Sequence, residues 1–209
     1  MKKTERPIIT FPNGQTVCPL GQGTWKMGQS AARRHEEIRA LQHGIELGMN
    51  LVDTAEMYDN EELVGEAVRD CREKVLLVSK VLPSNASYRG TKLACERSLL
   101  KLGTEYIDLM PWCAARRMPL MAYSPIGEGR LLHHHTLVEI ARRHDVSPAQ
   151  IALSWTMRQP GIIAIPKAGN VTHVEDNFRS LSIHLTEEDL HDLDTAFPAP
   201  ARKIPLAGW

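Results

Sequence analysis

Residues 50–81, NLVDTAEMYDNEELVGEAVRDCREKVLLVSKV, decide the fold. Two short apolar runs, NLVDT and KVLLVSKV, flank EELVGEAVRDC, whose apolar residues recur at helical spacing. A short strand that is apolar throughout has to be buried on both faces, and that happens where helices cover a parallel sheet. The unit reads as strand, helix, strand.

The same grammar continues on both sides. Upstream, ITFPNGQTV places Asn-Gly between two extended arms and predicts a hairpin. After the turn-rich GQGTWKMGQ, the stretch AARRHEEIRALQHGIELGMN has Ile38, Leu41, Ile45 and Leu47 at helical spacing and Gly48 where a C-cap glycine belongs. Downstream come a helix at TKLACERSLLKLG and a strand at EYIDLM. Beyond an abrupt junction, PWCAARRM, follow a strand at MPLMAYSP and a helical stretch, TLVEIARRHDVSPAQIALSWTMRQ, broken near Ser147-Pro148. A strand at GIIAIPKA and two helices, THVEDNFRSL and TEEDLHDLDTAF, complete the pattern. Each of these last helices opens on a threonine able to cap it, the second with a glutamate closing a capping box. The tail APARKIPLAGW has no periodicity.

Counting GQGTW, NLVDT, VLLVSKV, YIDLM, PLMAYSP and GIIAIPK gives six core strands. The expected fold is therefore α/β: one (β/α)8 TIM-barrel domain over residues 1–209, with an N-terminal β-hairpin, and lacking about a quarter of the barrel. The shortfall falls between Met110 and Pro111. A second, smaller shortening lies at Asp59-Asn60.

With 25 basic and 25 acidic residues dispersed along the chain, no net field selects nucleic acid or an anionic membrane. A small substrate fits better, and the absence of a long apolar run in the sequence predicts a cytoplasmic protein. The four cysteines, Cys18, Cys71, Cys95 and Cys113, show no metal or disulfide spacing. The triplet of His133, His134 and His135 reads as solvated loop, because adjacent side chains diverge and no paired ligands accompany it. No metal site is expected. His35, His43, His144, His184 and His191 read as helix-surface residues, and Met118, Met121 and Trp155 as core packing.

Three residues carry chemistry. A tyrosine hydroxyl is a poor acid, but beside an ammonium held by a carboxylate it can protonate a carbonyl oxygen. Tyr58, Lys80 and Asp53 supply those types, with Asp53 and Lys80 at the C-terminal ends of their strands and Tyr58 in the loop that follows the first. That rim is where parallel barrels build active sites.

The motifs GQGTWKMG, NLVDTAEMY, LLVSK, YIDL, MAYSPIGEG and IPKAGNVTHVEDN resemble, in that order, those of the aldo-keto reductases. The resemblance covers nearly the whole chain and is strongest to short bacterial members of the diketogluconate- and methylglyoxal-reductase type. It implies a cytoplasmic monomer that reduces small aldehydes and ketones with NADPH, with Tyr58, Lys80 and Asp53 as catalytic residues. It also implies that Thr24 and Trp25 lie near the nicotinamide and that Tyr123 stacks on its ring. Ser124, Ile126 and Gly127 would line the pyrophosphate path, Lys167 would meet the adenosine 2′-phosphate, and Asn177 would lie near the adenine. His173 stands where many members carry an arginine for the same phosphate, which weakens the preference for NADP(H) over NAD(H).

The departures cluster at the junction. The family's catalytic histidine, expected straight after YIDL, is absent, as are the Ser-Asn pair and the glutamine that hold the carboxamide. Two readings stay open. If the molecule carries a further stretch of about 65 residues here, it is an ordinary reductase. If the junction is as written, it is a cofactor-binding remnant without turnover, or a regulatory nucleotide-sensing module.

Overall fold

The computed structural model describes residues 7–11, 14–107 and 120–198. Strands β1 (Ile9–Thr10) and β2 (Thr16–Val17) pair antiparallel, Ile9 opposite Val17, as the hairpin reading requires. Strands β3 (Gln22–Gly23), β4 (Leu51–Asp53) and β5 (Leu76–Val78) form one parallel sheet, and β6 (Leu120–Ala122) and β7 (Ile162–Ala164) form another. Parallel bridges from Leu20 to Ala164 and from Gly23 to Lys167 join the two sheets. Among the described residues the parallel strands thus form one arc, in the order β6, β7, β3, β4, β5. The expected strand at YIDLM does not appear in its described part, Tyr106 and Ile107, and its remainder lies outside the described residues.

Helices α1 (Arg34–Leu47) and α2 (Glu61–Val68) cover the outer face of β4 and β5, and α3 (Tyr88–Leu102) packs on α2. Their shared core holds Ile38, Leu41, Val52, Leu63, Val64, Leu77 and Leu102. Beyond the sheet's other half lie α4 (His135–His144), α5 (Pro148–Thr156), α6 (Val171–Arg179) and α7 (Glu187–Ala196). On the inner face Leu51, Leu76, Ile163 and Ile165 pack against Phe11 and Val17, so the hairpin plugs the bottom of the arc. This inner register continues into the site described below.

Two local expectations need correction. α6 is capped by Asn170, whose side chain accepts the His173 N–H, and not by Thr172. Asparagine is as good a cap as threonine, and it stands at the extended residue just before the helix. Thr186 caps α7 as expected, but its capping-box partner is Asp189. Met121 packs against the inner core as expected and also lines a cavity, Trp155 packs at the rim of the α4–α5–α7 cluster with its indole N–H donated to Asp194, and Met118 lies outside the described residues.

Asp189 does more than cap. Almost fully buried, it accepts hydrogen bonds from the Thr186 N–H and hydroxyl, from His144 Nε2 at 2.7 Å and from Arg143 at 2.7 Å. Burial alone would raise its pKa, but these donors outweigh it and hold the carboxyl well below the usual carboxylate range. Its stabilising contribution is therefore complete above the unfolded-state value, about pH 4, and is lost as pH falls through the lower folded-state value. Asp189→Ala is expected to cost roughly 2–4 kcal/mol by removing a cap and stranding His144 and Arg143. Denaturant midpoints at neutral pH measure the loss, and a variant within half a kilocalorie of the parent, on the order of an ordinary surface change, would refute the argument.

Candidate active site

Side chains alternate along a strand, so a residue two positions past an inward core residue also points inward. Asp53 follows Leu51 in this way, Lys80 follows Val78 and Leu76, Lys167 follows Ile165 and Ile163, and Tyr123 follows Met121. Where the core register runs past the apolar layer, polar residues take it over. They line one cavity of about 600 Å³ at the C-terminal ends of the strands, with Thr24, Trp25, Tyr58, Ser124 and Ile126. Of the residues singled out from the sequence, Gly127, His173 and Asn177 lie outside this lining. His173 is exposed and Asn177 is buried within α6.

Tyr58 ends a single helical turn, Glu56–Tyr58, and Asp59 turns the chain back at φ 51°. The loop is held by bonds that continue the ladder beyond the strands: the Thr54 N–H donates to Val78 O and the Glu56 N–H to Lys80 O. The Glu56 carboxylate in turn accepts the Leu82 N–H and bonds to Arg97 and Asn85, which hold its pKa at about 2. Buried Asn60 donates to the carbonyls of Thr24 and Met27 and accepts from Thr54 Oγ1, so it buckles the Tyr58 loop to the first loop of the arc. Hydrogen bonds thus join the two loops where the chemistry sits.

Lys80 Nζ donates to Asp53 Oδ1 at 2.6 Å and to Thr54 O at 2.7 Å, and lies 5.1 Å from the centre of the Tyr58 ring. Trp25 meets that ring edge-on at 4.9 Å. Burial raises the Asp53 carboxyl's pKa, and the Lys80 ammonium only partly offsets it. The Tyr58 hydroxyl is pushed up to about 12, first by burial and then by the Asp53 charge. At neutral pH this tyrosine therefore holds its proton. The sequence reading expected its acidity to be tuned by Lys80 and Asp53, and here burial and Asp53 tune it upward.

The opposite wall is the turn after β6. Ser124, Gly127, Glu128 and Gly129 all have positive φ, between 46° and 87°, and the Gly127 and Gly129 N–H groups close this tight turn on Ser124 O and Ile126 O. Glu128 reaches across to Lys26 at 3.6 Å and bridges the two walls. Gly23 has a steric reason: a Cβ there would lie 2.6 Å from Ile165 O. Sequence reasoning missed Lys26, Glu128 and Asn60. Asn60 carried a signal, since it directly precedes an acidic helix start, but its side chain reaches backward instead of capping α2.

Residues 19–111 and 109–197 match the model of the aldo/keto reductase family, and the chain is 34% identical to methylglyoxal reductase YeaE of Escherichia coli over 280 residues, 97% of this chain and 99% of that protein. The chain belongs to the aldo/keto reductase family. Two solved relatives from Klebsiella pneumoniae agree. An aldo/keto reductase in complex with NADP and acetate is 32% identical with a TM-score of 0.85, covering 94% of this chain and 97% of its own. An aldo-keto reductase in complex with NADPH is 31% identical with a TM-score of 0.86, covering 95% and 98%. Among the described residues, no helix of this aldo/keto reductase is long and apolar enough to cross a membrane, and no cluster of histidine, cysteine and carboxylate side chains could hold a metal.

Proposed function

We propose that this chain is an NADPH-dependent reductase of small aldehydes and ketones, with methylglyoxal as a representative substrate. The observation that carries the reading is Tyr58, protonated and partly buried, beside a Lys80 ammonium pinned by Asp53 in the one cavity that also receives Lys167. The residues present fit the cofactor. The turn at 124–129, where Gly127 and Gly129 let backbone approach closely, suits a pyrophosphate, Lys167 suits a 2′-phosphate, and exposed Tyr123 offers a flat face beside the nicotinamide. Thr24 and Trp25 line the same end, while Gly127, His173 and Asn177 would act from the rim.

NADPH, when bound, supplies the hydride. Tyr58 delivers the proton to the carbonyl oxygen, and the tyrosinate left behind is stabilised by the ammonium of Lys80, which Asp53 and the Thr54 carbonyl keep in place. Reduction therefore needs the protonated tyrosine, and alcohol oxidation needs its conjugate base.

We further propose that a stretch of the barrel is lacking between Met110 and Pro111. Two observations support this: the family match breaks into two segments that meet at residues 109–111, and the alignment with the Escherichia coli relative runs over 280 positions although this chain has 209 residues. The stretch would have carried the histidine and carboxamide ligands that the family places after YIDL. That favours a second reading, a cofactor-binding module without turnover.

Incubating the purified chain with NADPH and methylglyoxal separates the two. The reductase reading expects substrate-dependent NADPH oxidation, level from about pH 6 to 9 because Tyr58 stays protonated far beyond that range. The reverse oxidation of the alcohol is expected to rise throughout the same window. NADPH binding with no turnover at any pH would establish the module instead.

A further inference from the structure

Glu37 stands in the first turn of α1 and is fully buried. A carboxylate so far from water calls for partners on both oxygens. Oε2 has one: it accepts the Gly28 N–H at 2.8 Å and so ties α1 to the loop that carries Thr24, Trp25 and Lys26. Oε1 has no hydrogen-bond partner among the described residues.

What faces that oxygen is informative. A Cβ built on Gly169 would lie 2.8 Å from Lys167 Nζ and 3.8 Å from Glu37 Oε1. The ammonium and the orphaned oxygen therefore border the same small space, which residue 169, having no side chain, leaves open. The backbone of Lys167 is fixed by its bridge to Gly23, so only side-chain torsions remain to aim the ammonium. A lysine carries about 2 kcal/mol of rotamer entropy, and a buried carboxylate across that gap, though in no ion pair with it here, biases the ammonium toward one side. Three N–H donors on one ammonium can serve a carboxylate and a phosphate together.

We propose that Glu37 positions Lys167 for the adenosine 2′-phosphate and thereby sets the preference for NADPH over NADH. The proposal rests on reading Lys167 as the partner of that phosphate. Glu37 acts through the lysine. It also explains how a chain with His173, in place of a fixed cation, can still favour the phosphorylated cofactor.

The test measures affinities of the full chain for 2′,5′-ADP and 5′-AMP by calorimetry. The parent is expected to prefer 2′,5′-ADP. Glu37→Gln keeps the shape and an acceptor for Gly28, and is expected to cut that preference about fivefold with 5′-AMP binding unchanged. Gly169→Ala displaces the lysine's end while meeting Glu37 Oε1 only at ordinary contact distance, and is expected to shift the preference the same way. In a Lys167→Met background, Glu37→Gln should add nothing. An equal loss for both ligands would assign Glu37 to holding the Gly28 loop and overturn the proposal. So would a full preference in Glu37→Gln when Lys167→Met has lost it. If Lys167→Met itself keeps the full preference, the reading of Lys167 fails, and the proposal with it.

Discussion

Tyr58→Phe is expected to remove carbonyl reduction by two to four orders of magnitude in kcat/KM, the usual worth of a positioned general acid. NADPH affinity and the melting temperature should stay near those of the parent. The substitution deletes one hydroxyl and leaves the ring in its edge-on contact with Trp25 and under the Lys80 ammonium. Lys80→Met should behave differently. It leaves the Asp53 carboxylate buried without its cation, so stability falls together with turnover. Single-turnover kinetics with methylglyoxal at saturating NADPH, alongside thermal melts, distinguish the two variants. A Tyr58→Phe enzyme that retained more than about a tenth of parental activity would leave the proton to come from elsewhere, and this proton-transfer argument would fail.

The parts of this site legible in the sequence are those that follow strand periodicity. Leu51 to Asp53, Leu76 to Lys80 and Ile163 to Lys167 are runs in which the inward register of a buried strand ends on a polar residue, and both the pattern and its end can be read from the letters alone. The hairpin was legible for the same local reason. Contacts between loops distant in sequence were not. Asn60 bonds to Thr24 across the β3 and β4 loops, Glu37 and Lys167 border one gap at Gly169, and Lys26 pairs with Glu128. Nothing about an asparagine before a helix says that it will reach back to a carbonyl on another strand. The cap of α6 differs because Asn170 and Thr172 are chemically near-equal as caps and the backbone geometry that chooses between them is set by packing, whereas the α7 capping-box partner, Asp189, stands in the sequence itself three residues after Thr186. The upward shift at Tyr58 is a property of burial, which periodicity does not measure.

Replacing the Met110–Pro111 junction by the corresponding stretch of the Escherichia coli relative is expected to raise turnover about a hundredfold and to make the protein monodisperse. The catalytic gain follows from geometry: a carbonyl held only by Tyr58 can sit off line, and an ångström of misplacement is worth about that factor. The gain in solution behaviour follows from the arc. Among the described residues β5 and β6 each pair on one side only, and an unpaired parallel edge is a template for another chain. The nearby helix α3 presents Leu100 at 82% exposure and Leu93 at 45%, although a helix at such a position in a closed barrel would have neighbours on both flanks. The graft supplies partners for the edges and the helix together, so turnover, melting temperature and light scattering should improve in one step. If the parent is already monomeric and turns over as fast as the graft, the proposed loss between Met110 and Pro111 has no functional consequence.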